Sequence, residues 1–271
     1  FRRDLTWSSG AMPGNEKLQG VSRGGGRLGA GLRTRSDWAA GLGSRGDVAV
    51  EVELVENVLK SNDLLAHQIR RRLQEKQVMG INLISSPGAG KTTLLEASLP
   101  LLARRGLRSA VIEGDLFTTL DAERIGKTGT AAVQLNTRGA CHLDAGMVAA
   151  ALDKVALDEI SILWVENVGN LVCPASYDLG ETLTVVVLST VEGNDKPLKY
   201  PPAFLRAGVC VLTKMDLLPY SGLDLERLLA DIARIHPGLP VIPVSARTGE
   251  GMEAWVNFLL ERRTASVKLP A

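Results

Sequence analysis

The chain has 271 residues, 45% hydrophobic and 23% charged, with a formal net charge of +1, which is globular composition. A pI near 7.9 gives no general drive toward nucleic acid. No apolar run reaches the roughly 18 residues that span a bilayer, so neither nucleic acid nor a membrane is an expected partner.

The three cysteines, Cys141, Cys173 and Cys210, are too few for a disulfide framework. They suit a reducing, cytoplasmic setting, with thiols left for packing or for metal. Residues 1–46 hold 11 of the 28 glycines and eight Lys/Arg against three acids, so this stretch carries about +5 and the remainder about −4. It shows no apolar periodicity and reads as a disordered extension that cannot offset its ordering entropy. Its composition also fits a transit peptide or an RNA-binding arm, although it forms no clear amphipathic helix.

From residue 47 apolar side chains recur at helical spacing: Val52, Val55, Val58 and Leu59, then Leu65, Ile69 and Leu73. Ser61-Asn62-Asp63 between the two sets predicts a cap, hence two N-terminal helices within 47–77. Strand-length apolar runs follow at 78–85, 109–114, 131–135, 160–166, 182–189, 208–213 and 239–245. They alternate with helical stretches near 92–104, 118–127, 142–154, 198–206, 223–235 and 251–262. Val/Ile/Leu-rich strands alternating with helices predict an α/β fold over 78–265, with a mostly parallel central sheet flanked by helices.

After the first strand the chain reads Ser85-Ser86-Pro87-Gly88-Ala89-Gly90-Lys91-Thr92-Thr93. This is a P-loop with Ser85 in place of the first glycine, and it makes the predicted fold a P-loop NTPase of three layers. Gly88 and Gly90 let the backbone N–H groups curl around phosphate, and the next helix points its positive end at the same anion. Lys91 supplies charge for the outer phosphates, and the Thr92 hydroxyl suits Mg²⁺. Thr213-Lys214-Met215-Asp216 ends a strand and matches the [NT]-K-x-D element of GTPases, with Thr213 where Asn is commoner. One carboxylate can accept two hydrogen bonds from guanine, and adenine offers no such pair. Ser245-Ala246-Arg247 resembles the loop that backs the base. GTP and GDP are therefore the expected nucleotides.

Glu166, at the end of the strand ILWVE, and Asp115, after SAVIEG, are candidates to complete a Mg²⁺ site, with Glu113 behind them. Gly169 in Glu166-Asn167-Val168-Gly169 stands where a γ-phosphate sensor belongs. No glutamine presents itself to orient the attacking water, so Mg-dependent hydrolysis is expected to be slow. Cys141-His142, at an expected helix start, and Cys173, four residues past Gly169, offer three soft or borderline ligands suited to Zn²⁺, Ni²⁺ or Cu. Buried thiols and a surface His account for the same residues without a metal. Cys210 reads as core packing, and His67 and His236 as surface residues.

NLISSPGAGKTTLL, VIEGD, NTRGACHLDAGM, VENVGNLVCPASYDLGE, EGNDKPLKYP, TKMDLLPY and SARTGEGM together resemble the hydrogenase nickel-incorporation GTPase family HypB, from about residue 50 to 262. The resemblance implies a GTPase of the SIMIBI class that dimerises around nucleotide. It implies delivery of Ni²⁺ to the large subunit of [NiFe]-hydrogenase, with a HypA-like zinc protein as partner. It also implies a metal site of Cys141, His142 and Cys173 at the dimer interface. Residues 1–77 contain no Cys and only His67, so the Cys-rich or His-rich stretches of some members are absent from them. Arg138-Gly139-Ala140 replaces the usual G-K-G before the Cys-His pair. The urease accessory GTPase UreG is the alternative, but it would be expected to show Cys-Pro-His, and here the order is Cys-His. A GTP-binding module without metal delivery is the remaining alternative, and intact Lys91, Thr92 and Asp216 speak against a degenerate site.

Overall fold

The structure is a computed structural model that describes residues 46–115, 120–137 and 139–268. The extension expected over residues 1–46 lies almost wholly outside them, as do Arg138 and the start of the helix expected at 118. Ala49–Ala271 form one compact unit; of the other unit, Phe1–Val48, only Gly46–Val48, the first residues of a helix, are described, and every contact below belongs to Ala49–Ala271.

Helix α1 (Gly46–Glu75) precedes β1 (Met79–Ser85), and α2 (Lys91–Arg104) leads to β2 (Ser109–Asp115). Then come α3 (Leu120–Gly126), β3 (Ala131–Asn136), α4 (Ala145–Leu152), β4 (Ile162–Glu166) and β5 (Leu183–Ser189). The chain continues through α5 (Lys196–Lys199), α6 (Pro201–Arg206), β6 (Val209–Thr213), α7 (Leu218–Ser221), α8 (Leu225–Ile235), β7 (Val241–Pro243) and α9 (Met252–Lys268). The strands form one sheet in the order β3-β2-β4-β1-β5-β6-β7, and every pairing is parallel. The seven strands fall where the apolar runs place them.

Alternation along each strand feeds two cores. Ile81, Leu83, Val185 and Val187 pack with α2 and α9 on one face, around Trp164 and Trp255. Ile84, Val186 and Leu188 pack with α6 and α8 on the other, where Ala66, Ile69 and Leu73 of α1 join Val148 and Leu152 of α4 in a neighbouring cluster. Helices on both faces are why the strands are apolar on both sides, and each fully buried Ile or Leu contributes about 1.5–3 kcal/mol.

Three sequence expectations change. The two N-terminal helices are one: the expected cap Ser61-Asn62-Asp63 lies mid-helix, where the Asn62 side chain is buried and bonds to other segments. The helix expected at 142 starts only at Ala145, capped by the Asp144 carboxylate, which accepts from Met147 N at 2.8 Å. Cys141 and His142 therefore sit in the preceding loop. The helix near 198–206 is split into α5 and α6 at Pro201, whose ring cannot continue a helix from its N-terminal side. No helix among the described residues is long and apolar enough to cross a membrane.

Candidate functional site

The carboxyl ends of β1, β2 and β4 open onto a cavity of about 480 Å³. Such a crevice is where open parallel sheets bind ligands. Pro87, Gly88, Gly90, Lys91, Thr92 and Thr93 form one wall, Glu113, Asp115 and Glu166 the floor, and Gly169 and Lys214 the rim. Gly88 and Gly90 have φ of +73° and +95°, conformations that L side chains rarely adopt, and they turn the loop into α2. Ser85, the departure from the motif, is fully buried, and its hydroxyl accepts from Lys91 Nζ at 3.1 Å. A side-chain oxygen absent from the usual glycine thus holds the lysine. Lys91 also lies 4.0 Å from Glu166 Oε1.

The Thr92 hydroxyl donates to Glu166 Oε1 at 2.8 Å, while Glu166 Oε2 is buried without a hydrogen-bond partner. A hydroxyl beside a carboxylate with an unused oxygen fits a hard divalent cation. Glu113 stands directly across from Glu166 in the β2–β4 ladder. Burial and the Glu166 charge push its carboxyl up to about 11, and burial likewise raises Glu166. Two buried carboxylates facing one site repel each other, and a proton or a cation between them offsets that repulsion. Asp115 ends β2 on the same cavity, half-buried.

At the other end of the loop, Thr213 Oγ1 donates to Ala89 O at 2.6 Å, with Leu188 O also within 3.2 Å. The threonine thus ties its motif to the P-loop through a hydroxyl. Lys214, at φ +59°, donates through Nζ to Gly88 O at 2.8 Å. The Ser245 hydroxyl donates to Asp216 Oδ1 at 2.7 Å and holds that carboxylate in place. Ala246 packs against the first core cluster. Arg247 is peripheral, 4.0 Å from Asp216 and largely exposed. Gly169 approaches the P-loop so closely that a Cβ would lie 2.9 Å from Pro87 Cα. The segment after β4 therefore rests directly on the phosphate loop.

That segment leads to the cysteines. Cys141 Sγ lies 3.0 Å from Cys173 Sγ and 3.7 Å from His142 Nδ1, and the three ligand atoms lie within 4.8 Å of one another. His142 stacks on Tyr177, centroids 4.0 Å apart. The hydrogen bond with Cys173 raises the Cys141 thiol, and burial lowers the His142 imidazole, favouring its neutral, ligating form. Cys210 is fully buried in the core, away from this group. Soft sulfur with imidazole suits nickel or zinc and not magnesium.

The motifs carried no signal for several side chains that shape these sites. Asn167 is one: its Oδ1 accepts from Leu143 N at 3.1 Å and Val168 N at 3.0 Å, and its Nδ2 donates to Asn82 Oδ1 at 3.3 Å. Arg124 lines the cavity and donates to Thr93 Oγ1 at 3.1 Å. Lys196 reaches Ser86 Oγ at 3.2 Å. Asn167 and Lys196 lie in the quoted VENVG and EGNDKP blocks, which is the sequence hint for them; Arg124 lies in none.

The CobW/HypB/UreG nucleotide-binding domain matches residues 79–243. The hydrogenase maturation factor HypB of Escherichia coli K12 is 48% identical over 227 residues, covering 84% of this chain and 77% of that protein. The chain belongs to the HypB family of P-loop GTPases, the hydrogenase maturation factors. The hydrogenase/urease maturation factor HypB of Helicobacter pylori is 38% identical over 217 residues, 79% of this chain and 88% of that protein. Among solved structures, H. pylori HypB in complex with nickel superposes with a TM-score of 0.72 at 37% identity, over 78% of this chain and 99% of that one. HypB of Archaeoglobus fulgidus gives 0.71 at 35% identity, over 76% and 100%.

Proposed function

We propose that this chain is a GTP-hydrolysing metallochaperone. It binds Ni²⁺ or Zn²⁺ at Cys141, His142 and Cys173 and passes nickel on for [NiFe]-hydrogenase maturation, as a homodimer switched by nucleotide. The single observation that carries the reading is the shared segment 166–173. It begins at a carboxylate of the nucleotide cavity, touches the P-loop at Gly169 and ends at a thiol of the Cys/His cluster.

The nucleotide half works by positioning. Gly88, Ala89 and Gly90 hold the phosphates with backbone N–H groups, Lys91 places its charge on the outer ones, and Thr213, Lys214, Asp216, Ser245 and Ala246 frame the guanine. Thr92 and Glu166 would hold Mg²⁺, with Asp115 nearby, and the ion supplies charge neutralisation at the phosphates. The motifs supply no glutamine to orient the attacking water, so turnover is slow, as suits a timer. The cargo half holds nickel as substrate on two thiolates and an imidazole. Proton release on binding makes its affinity fall as pH falls. A HypA-like zinc protein and, beyond it, the hydrogenase large subunit are the partners, met in a reducing cytoplasm.

The test is a paired assay on wild type and Cys173→Ala: GTP turnover with magnesium, and nickel titration. Turnover in both with nickel binding only in wild type supports the reading. Nickel binding that ignores the substitution, or absence of GTP turnover, overturns it. A pulldown that retains a urease-accessory partner and no HypA-like protein would move the chain to the urease branch.

A further inference from the structure

The three metal ligands come from two separate loops, and neither loop by itself sets the distance between Cys141 and Cys173. One loop runs from Cys141 to the start of α4, the other from Asn170 through Cys173 to Asp178. Asn170 and Tyr177 cross-link them near the surface, through Asn170 Nδ2 to Cys141 O at 3.3 Å and the Tyr177–His142 stack. Both belong to the loops they join, so they move with them.

Asn62 differs in this respect. It lies in α1, more than a hundred residues before Cys173, and is only 6% exposed. Its Oδ1 accepts from Ala145 N at 2.9 Å, and its Nδ2 donates to Asp178 O at 2.9 Å. One amide thus spans both loops, three residues beyond His142 and five beyond Cys173. The helix that carries it is fixed by Ala66, Ile69 and Leu73 in the core. Two turns on, Arg70 grips the Asp178 carboxylate at 2.7 and 2.8 Å. Gly180 lies so close to α1 that a Cβ there would sit 2.6 Å from Ala66 O. The second loop is therefore mounted on α1 at consecutive points.

Partners that orient first-contact ligands are a common requirement of metal sites, because soft loops otherwise let the ligands drift apart. We propose that Asn62 is a positioning residue of the metal site and that α1 is the fixed post against which the Cys141–His142 loop and the Cys173 loop are set. The hydrogen bonds of the Asn62 amide go to backbone groups of the two loops, so it acts through the two backbones. The inference rests on the Cys/His cluster being the nickel site.

The test is nickel titration of the full chain, read by thiolate-to-nickel absorption, with GDP titration of the same samples. Asn62→Ala should bind nickel about 10- to 100-fold more weakly and with a shifted absorption band, and bind GDP as wild type does. Asn62→Asp keeps the acceptor for Ala145 N–H and loses the donor to Asp178 O. It should fall between the two, and it serves if the alanine variant does not fold. Leu259→Ala removes buried packing from α9, in a core cluster that holds no residue of either loop, and should keep wild-type nickel affinity. Wild-type nickel binding in both Asn62 variants overturns the inference. So does an equal loss in Leu259→Ala, which would reduce the effect to overall stability. Cys173→Ala separates the two readings: if it binds nickel as wild type does, the metal-site assignment falls and the inference with it. If it loses nickel while the Asn62 variants do not, only the inference falls.

Discussion

In the proposed reading, Asp216 concentrates the choice of base in one carboxylate. Ser245 holds one of its oxygens at 2.7 Å, so it is presented in a fixed direction. An amide at this place can accept only one of the two bonds that guanine offers. Each buried group left unpaired costs about 1–3 kcal/mol. We predict that Asp216→Asn lowers the preference for GTP over ATP by roughly ten- to a hundredfold, measured by competition titration. Unchanged preference would show that the base is read elsewhere. Lys91 makes a different kind of contribution. It is buried between Ser85 and Glu166, and Lys91→Ala leaves the outer phosphates without their point charge. GTP turnover should fall below detection and GTP affinity should drop more than GDP affinity; equal losses for the two nucleotides would place the lysine on the inner phosphates.

At the scale of elements, the strands and the P-loop helix were legible because each is decided locally. Seven short Val/Ile/Leu runs can bury both faces only in a parallel sheet, and Gly-x-Gly-Lys-Thr needs its strand and helix. The metal loops and α1 were not legible in the same way. Ser61-Asn62-Asp63 has the composition of a cap, yet the amide of Asn62 finds partners in loops far along the chain, so tertiary bonding overrides the local signal. Asn167 was hidden for the same reason: its partners, Leu143 and Asn82, lie on other elements. The α1–loop clasp also has a pH signature. Burial opposes ionisation of Asp178, but bonds from Arg70 and Gly180 N–H and the charge of Arg206 outweigh it, holding the carboxyl below its ordinary value. A depressed folded-state pKa adds stability above the unfolded value, about 3.9 for Asp, and that stability is lost as pH falls through the folded value. Asp178→Asn should therefore lower the melting temperature at neutral pH and show a shallower acid decline than wild type. Parallel melting curves across pH 2–5, an interval bracketing roughly that unfolded value, would refute this.

On the whole molecule, the two sites share one lever. Glu166 lines the nucleotide cavity, Gly169 rests on Pro87, and an isolated bridge joins Ser85 at the start of the P-loop to Asn170. Asn167 then connects this lever to the other metal loop by accepting from Leu143 N, one residue past His142. Both loops that carry thiols are thus tied to the stretch a γ-phosphate would shift, one covalently through residues 170–172 and one through the Asn167 side chain. A change that moves one thiol relative to the other alters metal affinity, and by linkage metal must then alter nucleotide affinity by the same factor, typically about 1–3 kcal/mol. We predict different nickel affinities with GDP and with a non-hydrolysable GTP analogue. We also predict that Asn167→Ala shrinks that difference while nucleotide still binds, because the Cys141 side no longer follows the lever. Nickel titrations in the two nucleotide states, and nucleotide titrations with and without nickel, close the thermodynamic cycle. Equal nickel affinity in both states for the wild type would mean that the nucleotide state does not change the distance between the two thiols, and the coupling would be absent.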